Sequence, residues 1–431
     1  MTMIKRRALV GLTAGLLAMT GMVGIAYAQT SLTLFSPNDQ AAVAYTEAMV
    51  AAFEAANPDI KVEIEVGPGG TERDNMVKSR LATGTMNDVF VYNTGSLFQA
   101  INPVQSTVDL SSEAYMSTIL DSFKQTVTAT DGTLHGVPYG QAMGGGVLYN
   151  KRIYEELGLS VPKTWDEFMA NNAKIKEAGK APVIQTFGDT WTSQLFFLAD
   201  YYNIQAVEPD FAAKYTTNEA KYAGNVAAMG GFQKQADVYN AGYLNEDYGA
   251  AVLDDGLRML AQGDGAHYPM LTFAVGTIAQ NYPDLLNDVG YFGLPGNDAA
   301  KNGTTVWMPT ALYISANSPN VEAAKKLVAF VASKEGGCDP WVELNAITGP
   351  FLIQGCELPA SVPTAVSDLG AYFTAEGQTA PALEFLSPVK GPNLENITVE
   401  VGSGIRTPED AAALYDEDVK KQAQQLGLPG W

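Results

Sequence analysis

Between Ser31 and Tyr92 the sequence alternates between two kinds of hydrophobic period, and this alternation constrains the fold more than any other feature of the chain. "SLTLFSPNDQ" opens as a short apolar strand and ends in polar residues. From Ala41 to Ala56 the residues Ala41, Tyr45, Met49, Ala52, Phe53 and Ala56 recur at helical spacing, and Asn57-Pro58 stops that helix. "KVEIEV" alternates apolar and polar residues as a half-buried strand does. A second amphipathic helix is predicted from Thr71 to Leu81, and "DVFVY" is a third strand. The order β-α-β-α-β implies a parallel sheet and an α/β fold, because parallel neighbours need a crossover between them. Ligands of such sheets sit beyond the carboxyl ends of the strands, so the loops after Phe35 and Tyr92 are the first places to look for a site.

Upstream of this unit, Lys5, Arg6 and Arg7 precede an apolar run from Ala8 to Ile25 that ends in Ala26-Tyr27-Ala28. This reads as a secretory signal peptide over residues 1–28, cleaved after Ala28, with no cysteine there for a lipid anchor. Roughly 400 residues remain, more than one hydrophobic core serves well, so two domains are expected. No later stretch is long and apolar enough to span a bilayer, so no stable membrane insertion is expected after cleavage. The leader holds three of the 26 basic and none of the 47 acidic residues, which leaves the rest of the chain more acidic than the overall net charge of −21. Nucleic acid and anionic membrane are poor partners for such a surface. The two cysteines, Cys338 and Cys356, have no histidine nearby and make no zinc site. In an oxidising compartment a disulfide is favoured over two buried thiols.

A second unit begins after "HGVPYGQAMGGGVLYN", where glycine density rises. "TWDEF" carries a capping box, Thr164 with Glu167, and opens a helix that closes at Gly179 before the strand-like "APVIQTF". "SPNVEAAKKLVAFVAS" places Val321, Ala324, Leu327, Val328 and Val331 on one helical face. The last helix has Thr407 as its cap, Pro408, Glu409 and Asp410 in its first turn, and Gly427 at its end.

Catalytic signatures are absent: there is no H-E-x-x-H, Walker A, G-x-S-x-G or G-x-G-x-x-G stretch, and His135 and His267 are the only histidines. No catalytic residue, metal or cofactor is expected. His267 reads as a hydrogen-bonded structural histidine. Asp254-Asp255 and the acidic run from Asp416 to Asp418 read as solvated helix faces. Aromatic residues are the positive signal, because sugar rings pack flat C–H faces on aromatic rings while their hydroxyls need groups that donate and accept. Trp191 and Trp307 stand out, each beside a strand-like segment among glycine and threonine.

Taken in register, "LTLFSPNDQ", "AFEAANPDIKVEIEV", "SRLATGTMNDVFVYNTG", "DGTLHGVPYGQAMGGGVLYNKRIYEELGLSVPKTWDEF", "GDGAHYPMLTF", "GYFGLPGN", "ALYISANSPNVEAAKKLVAFVAS" and "ALYDEDVKKQAQQLGLPGW" resemble the family 1 extracellular solute-binding proteins of bacterial ABC importers. That family includes maltose- and other oligosaccharide-binding proteins. The resemblance implies a type II periplasmic-binding-protein fold: two α/β lobes joined by a three-segment hinge, with the ligand cleft between them. The implied N-terminal lobe is 29–137 with 293–343, and the C-terminal lobe is 142–288 with 351–431. The hinge segments fall near 136–141, 289–293 and 344–350. It further implies a monomer in the periplasm that binds a carbohydrate, a di- or oligosaccharide, closes on it and delivers it to the permease subunits of an ABC transporter.

Positions that match ligand-contact regions of the family are Ser36, Asn38, Asp39, Tyr92, Asn93, Tyr139, Trp191, Tyr268, Phe273, Trp307 and Gly349. Stacking falls to Trp191, Phe273 and Trp307, and hydroxyl bonding to Asp39, Asn38 and Asn93. "GDGAHYPMLTF" departs from relatives that read Ala-Met where Ala266-His267 stand and tryptophan where Phe273 stands. Two other readings stay open. The same fold with a charged cargo, a glycerol phosphodiester or a polyamine, would need cleft arginines or several cleft carboxylates; Arg73 and Asp39 are the nearest candidates. A secreted glycosidase would need two acids brought together by the fold.

Overall fold

The computed structural model describes residues 29–374 and 377–431. The leader inferred at 1–28 lies outside the described residues. Among them, no helix is long and apolar enough to cross a membrane.

The opening alternation folds as its periods predict. Strand β1 (Thr30–Pro37), helix α1 (Gln40–Ala56), β2 (Ile60–Gly67), helix α2 (Gly70–Thr83) and β3 (Val89–Asn93) follow one another, and β1 pairs in parallel with both β2 and β3. Two later strands complete this first sheet: β4 (Gly136–Pro138) at one edge, and β10 (Thr310–Ile314), antiparallel between β3 and β4. The second sheet is built on β5 (Met143–Asn150), with β6 (Ala181–Val183), β7 (Gly265–Leu271), β8 (Val289–Gly293), β9 (Thr304–Trp307) and β11 (Thr379–Pro381). β5 pairs antiparallel with β7, β8 and β9.

The capping residues named from sequence act as caps. Thr164 and Glu167 form the reciprocal capping box of the helix Trp165–Glu177. Thr407 accepts from the Asp410 N–H at the start of the helix Pro408–Gln425. The helix Val321–Val331 buries Ala324, Leu327, Val328 and Val331 against the first lobe. One buried core runs from Leu34, Phe90 and Leu312 in the first sheet to Leu148, Tyr268 and Met270 in the second. Separate aromatic clusters fill the outer part of the second lobe, one around Phe197, Tyr222, Phe232 and Tyr415 and another around Tyr149, Trp165, Phe168 and Phe292.

The chain passes between the sheets three times. The first passage runs from Pro138 at the end of β4 to Met143 at the start of β5. The second does not lie at 289–293, where the resemblance put it. That segment is β8, buried throughout and paired along β5 from Gly146 to Asn150, and β9 also belongs to the second sheet. The chain changes sheet at Met308-Pro309, between β9 and β10. The third passage also falls later than 344–350. Residues Ala142 and Pro350 are hydrogen-bonded along the seam, but Ile353 then pairs with Ile119, and the Gln354 N–H donates to the Thr118 carbonyl in the first lobe. A disulfide joins Cys338 to Cys356 there, with Cα atoms 6.2 Å apart. Only after Cys356 does the chain leave for the helix Thr364–Thr374, which is bonded to β8 through Asp368 and the Tyr291 N–H at 3.0 Å. The pairings of β8 and of Ile353 fix both shifts.

Two acids expected on a solvated face have structural roles instead. Asp416 accepts the Tyr222 and Ala223 N–H groups at 2.9 and 2.8 Å, and Asp418 accepts the Asn393 N–H at 2.7 Å. Each locks a loop of the second lobe to the last helix.

Candidate functional site

The carboxyl ends of β1 and β3 open onto a cavity of about 570 Å³ between the two lobes. This is within the size range of ordinary small-molecule sites. Seven of the positions singled out by resemblance line it: Asp39, Tyr92, Asn93, Tyr139, Trp191, Phe273 and Trp307.

Asp39 is the N-cap of α1 and accepts the Ala42 N–H at 2.9 Å. Burial raises its pKa from the usual value, opposed by that backbone bond and by the nearby Arg73 charge. Tyr92 reaches over from β3 to hydrogen-bond Asp74, whose other carboxylate oxygen holds Lys78 at 2.6 Å. Tyr139 sits in the first passage with its hydroxyl bonded to Thr46 and to the Ala42 carbonyl, so it presents its ring rather than its oxygen.

The second lobe supplies aromatic faces. Trp191 lies on a short 3-10 turn, Thr190–Gln194, and crosses the cleft to pack against Gly70 at the start of α2. A Cβ at Gly70 would stand 3.3 Å from the Trp191 ring, and Gly70 has a φ of +59°. Phe273 is 6.0 Å from Trp191, ring to ring, and both rings are half-buried. Trp307 is nearly covered, 2% exposed, with its ring packed against Gly145 of β5 and its indole N–H donating to Glu384. Trp341 forms part of the floor, stacked on Tyr45 with ring centroids 4.1 Å apart.

Four expected positions lie off the cavity wall. Ser36 is fully buried behind β1, bonded to Thr46 Oγ1 at 2.8 Å. Asn38 is exposed outside the lining. Tyr268 points into the second lobe and bonds Thr186 at 2.6 Å, because all residues of β7 but Leu271 are buried and its ends rather than its faces reach the cavity. Gly349 packs on the Ala142 carbonyl; its neighbour Thr348 lines the cavity in its place. His267 is enclosed, with Nε2 facing the Tyr154 hydroxyl at 2.7 Å and Nδ1 facing Asn172 Oδ1 at 2.8 Å. Burial pushes its pKa down to about 3, which keeps the ring neutral.

Of the charged lining, sequence reasoning pointed to Asp39 and Arg73 and missed the rest. Arg73, Asp74 and Lys78 come from α2, and Glu384, Lys390 and Glu395 from the last part of the second lobe. These charges are mostly partnered. Lys78 holds Asp74, and Lys390 holds Glu384 at 3.1 Å. Arg73 gives its guanidinium to the Ser36 and Val91 carbonyls at 3.0 and 2.7 Å and lies over the Phe35 ring at 4.3 Å. Burial lowers its pKa to about 10. Glu395 accepts the Thr190 hydroxyl at 2.9 Å, and burial raises its pKa. Helical spacing of Arg73, Asp74 and Lys78 on α2 was the available signal; nothing local marked Glu384 or Lys390. Among the described residues no group of three His, Cys, Asp or Glu side chains is placed to hold a metal ion.

Two α/β lobes joined by three passages of the chain, with a cavity between them lined by aromatic rings and by charges engaged within the protein, define a two-lobed solute-binding protein. The chain belongs to the bacterial extracellular solute-binding protein family, whose profile matches residues 37–337. It is 25% identical over 291 residues to the multiple sugar-binding protein of Streptococcus mutans, a match that covers 65% of this chain and 66% of that one. It is 24% identical over 297 residues to the melibiose/raffinose/stachyose-binding protein MelE of Bacillus subtilis, covering 66% of each. The match thus spans just under two thirds of the length of these curated relatives. Among solved structures, a chitin oligosaccharide binding protein superposes with a TM-score of 0.79 at 20% identity, over 92% of this chain and 99% of that one. RafE in complex with raffinose superposes with a TM-score of 0.73 at 21% identity, also over 92% and 99%. The fold is that of the type II periplasmic binding proteins.

Proposed function

We propose that this protein captures a carbohydrate, a di- or oligosaccharide, between its lobes and delivers it unchanged to the permease of an ABC importer. The observation that carries this reading is the cavity lining. Trp191 and Phe273 present half-buried rings, while the lining cations Arg73, Lys78 and Lys390 are each engaged by carbonyls or carboxylates. Such a wall suits a neutral, hydroxyl-rich ligand with flat apolar faces. It leaves no free arginine for a phosphodiester; Asp74 and Glu384 are ion-paired, and the two other lining carboxylates, Asp39 and Glu395, accept from the Ala42 N–H and the Thr190 hydroxyl and are shifted by burial toward the neutral form, which suits a polyamine poorly. The ligands after which the similar proteins are named, multiple sugars, raffinose and chitin oligosaccharide, support the same class. The passages at 139–142, 308–309 and 357–363 serve as the hinge, and binding energy offsets the cost of holding the lobes closed. The chain is exported, cleaved after Ala28, and works as a monomer in the periplasm.

Thermal melting of residues 29–431 against mono-, di- and oligosaccharides, glycerol phosphates and polyamines tests this. A ligand at 100 times its dissociation constant stabilises the native state by about 2.7 kcal/mol. A shift with one sugar group, recovered intact afterwards, is the expected result. A shift with only a charged solute would replace the carbohydrate reading, and recovery of a cleaved sugar would make the protein a glycosidase.

A further inference from the structure

Of the acids that line the cavity, Asp74 engages both its oxygens, with Tyr92 and Lys78, and Glu384 engages both, with Trp307 and Lys390. Glu395 does not. Its Oε2 accepts the Thr190 hydroxyl at 2.9 Å, while its Oε1 has no partner among the described residues. Nor is that oxygen sealed, as the amide oxygen of the neighbouring Gln235 is: it stays open to solvent, although the residue as a whole is only 6% exposed. A mostly buried acceptor that opens only onto a cleft is placed for a donor from outside the chain.

The carboxyl stands on a fixed support. Ser193 Oγ lies 3.0 Å from the Glu395 carbonyl oxygen and 2.7 Å from Thr398 Oγ1, and Gln235 Nε2 donates to the Ser193 carbonyl at 2.9 Å. These bonds join the turn Thr190–Gln194 to the helix Leu394–Gly402. Thr190 immediately precedes Trp191, so its bond to Oε2 sets the carboxyl in place relative to that ring. Burial, the main cause, and the like charge of Asp74 in the first lobe raise the Glu395 pKa, against the Thr190 hydroxyl and Lys390. Glu395 thus faces the opposite lobe across the cleft.

We infer that Glu395 is a specificity-determining residue whose Oε1 accepts a hydrogen bond from a hydroxyl of the sugar unit packed on Trp191. This rests on the reading of the cavity as a carbohydrate cleft and narrows the cargo. The sugar carries a free donor hydroxyl at that position, and an analogue methylated or deoxygenated there leaves a buried acceptor unpaired. A hydroxyl given to a carboxylate is a charge-assisted bond, stronger than one given to an amide.

The test is calorimetric titration of residues 29–431, unchanged and as Glu395→Gln and Thr190→Val, with raffinose, diacetylchitobiose, galactose and spermidine at pH 8 and pH 5. Melting of each ligand-free protein is recorded alongside. Glu395→Gln keeps the size of the side chain and an oxygen for Thr190 but removes the charge. It is expected to weaken binding of whichever sugar the parent takes by about tenfold at pH 8, with ligand-free melting near the parent value. A donated hydroxyl favours the ionised carboxyl, so parent affinity is expected to fall as pH drops through the raised Glu395 pKa. The gap between parent and Glu395→Gln is therefore expected to narrow at pH 5, and the comparison cancels any contribution of Asp39. Thr190→Val releases the carboxyl from its support, is expected to cost a few-fold in affinity, and decides the matter if Glu395→Gln does not fold. Sugar affinity unchanged in the folded variants, or a gap of equal size at both pH values, overturns the role of Glu395 and leaves the carbohydrate reading in place. Tight spermidine binding by the parent, or binding of none of the four compounds, overturns both.

Discussion

The indole N–H of Trp307 donates to Glu384 Oε1 at 2.8 Å, across 77 residues of sequence. Trp307 ends β9 immediately before the second passage, while Glu384 lies just past β11 and holds Lys390 with its other oxygen. One carboxylate thus fixes the orientation of a cavity-lining ring at the point where the chain changes lobe. The ring packs on Gly145, where a Cβ would come within 2.1 Å of it. Gly145→Ala is expected to push the ring off this seat and destabilise the fold by about 1–3 kcal/mol, as overpacking does, while weakening ligand binding. Urea unfolding and titration of the same variant check both effects.

Trp191 behaves differently, because it is half-buried and meets the other lobe at Gly70. Trp191→Ala is expected to cost about 2 kcal/mol of binding, near 30-fold in affinity, with little change in ligand-free melting. In the parent protein, ligand addition is expected to change tryptophan emission, and much of that change should be lost in this variant. Equal emission changes in parent and variant would remove Trp191 from the binding wall.

His267 gives a pH dependence of known sign. Its folded pKa is depressed to about 3 by burial, below its ordinary value, so the unfolded chain takes up a proton at a pH where the native protein does not. Its contribution therefore falls as pH drops through the window between about 6.5 and 3, and is constant above it. Between pH 7.5 and 5 the loss is about 2 kcal/mol. His267→Gln is expected to flatten this part of the stability profile, so the check is the difference between parent and variant in urea midpoint at the two pH values.

Lys234 and Asp200 form a pair at 2.6 Å, with side chains 9% and 1% exposed. Lys234→Met leaves Asp200 buried without its cation and is expected to cost about 3–5 kcal/mol. The double change Lys234→Met with Asp200→Leu is expected to recover much of that loss. Denaturant unfolding of the three proteins settles whether this pair or its surroundings carries the stability.

The Cys338–Cys356 disulfide closes a short loop, its ends 18 positions apart in sequence. Replacing both cysteines with serine is expected to lower stability by about 3 kcal/mol through the freed unfolded chain. Ligand affinity is expected to remain, because neither cysteine lines the cavity. Melting and titration of the double variant separate the two.

What could be read in the sequence was what local physics decides. The period of Ala41 to Ala56, the cap at Thr164 and the cap at Thr407 each involve residues within a turn or two of one another, and all three stand where expected. The second passage could not be read this way. "VGYFG" is apolar and small whether it crosses between lobes or pairs with β5, and only its pairing with Gly146 to Asn150 decides. β7 misled for a related reason: six of its seven residues are buried, so no alternation told which side of Tyr268 faces the ligand. Beyond Asp39 and Arg73 the charged rim went unread, because Asp74 and Glu384 meet at one cavity from opposite ends of the chain.

β10 lies between β3 and β4, and it comes from residues 310–314. Until that part of the chain exists, β3 and β4 have no common neighbour, and the first sheet stays an open three-stranded fragment with a bare edge. An N-terminal position therefore does not mean early completion: the lobe that begins first waits for residues 310–314, and the second lobe waits longer, for β11. Both sheets thus close through residues far apart in the sequence, so each stays unfinished through most of synthesis, and closure of this non-local kind is intrinsically slow.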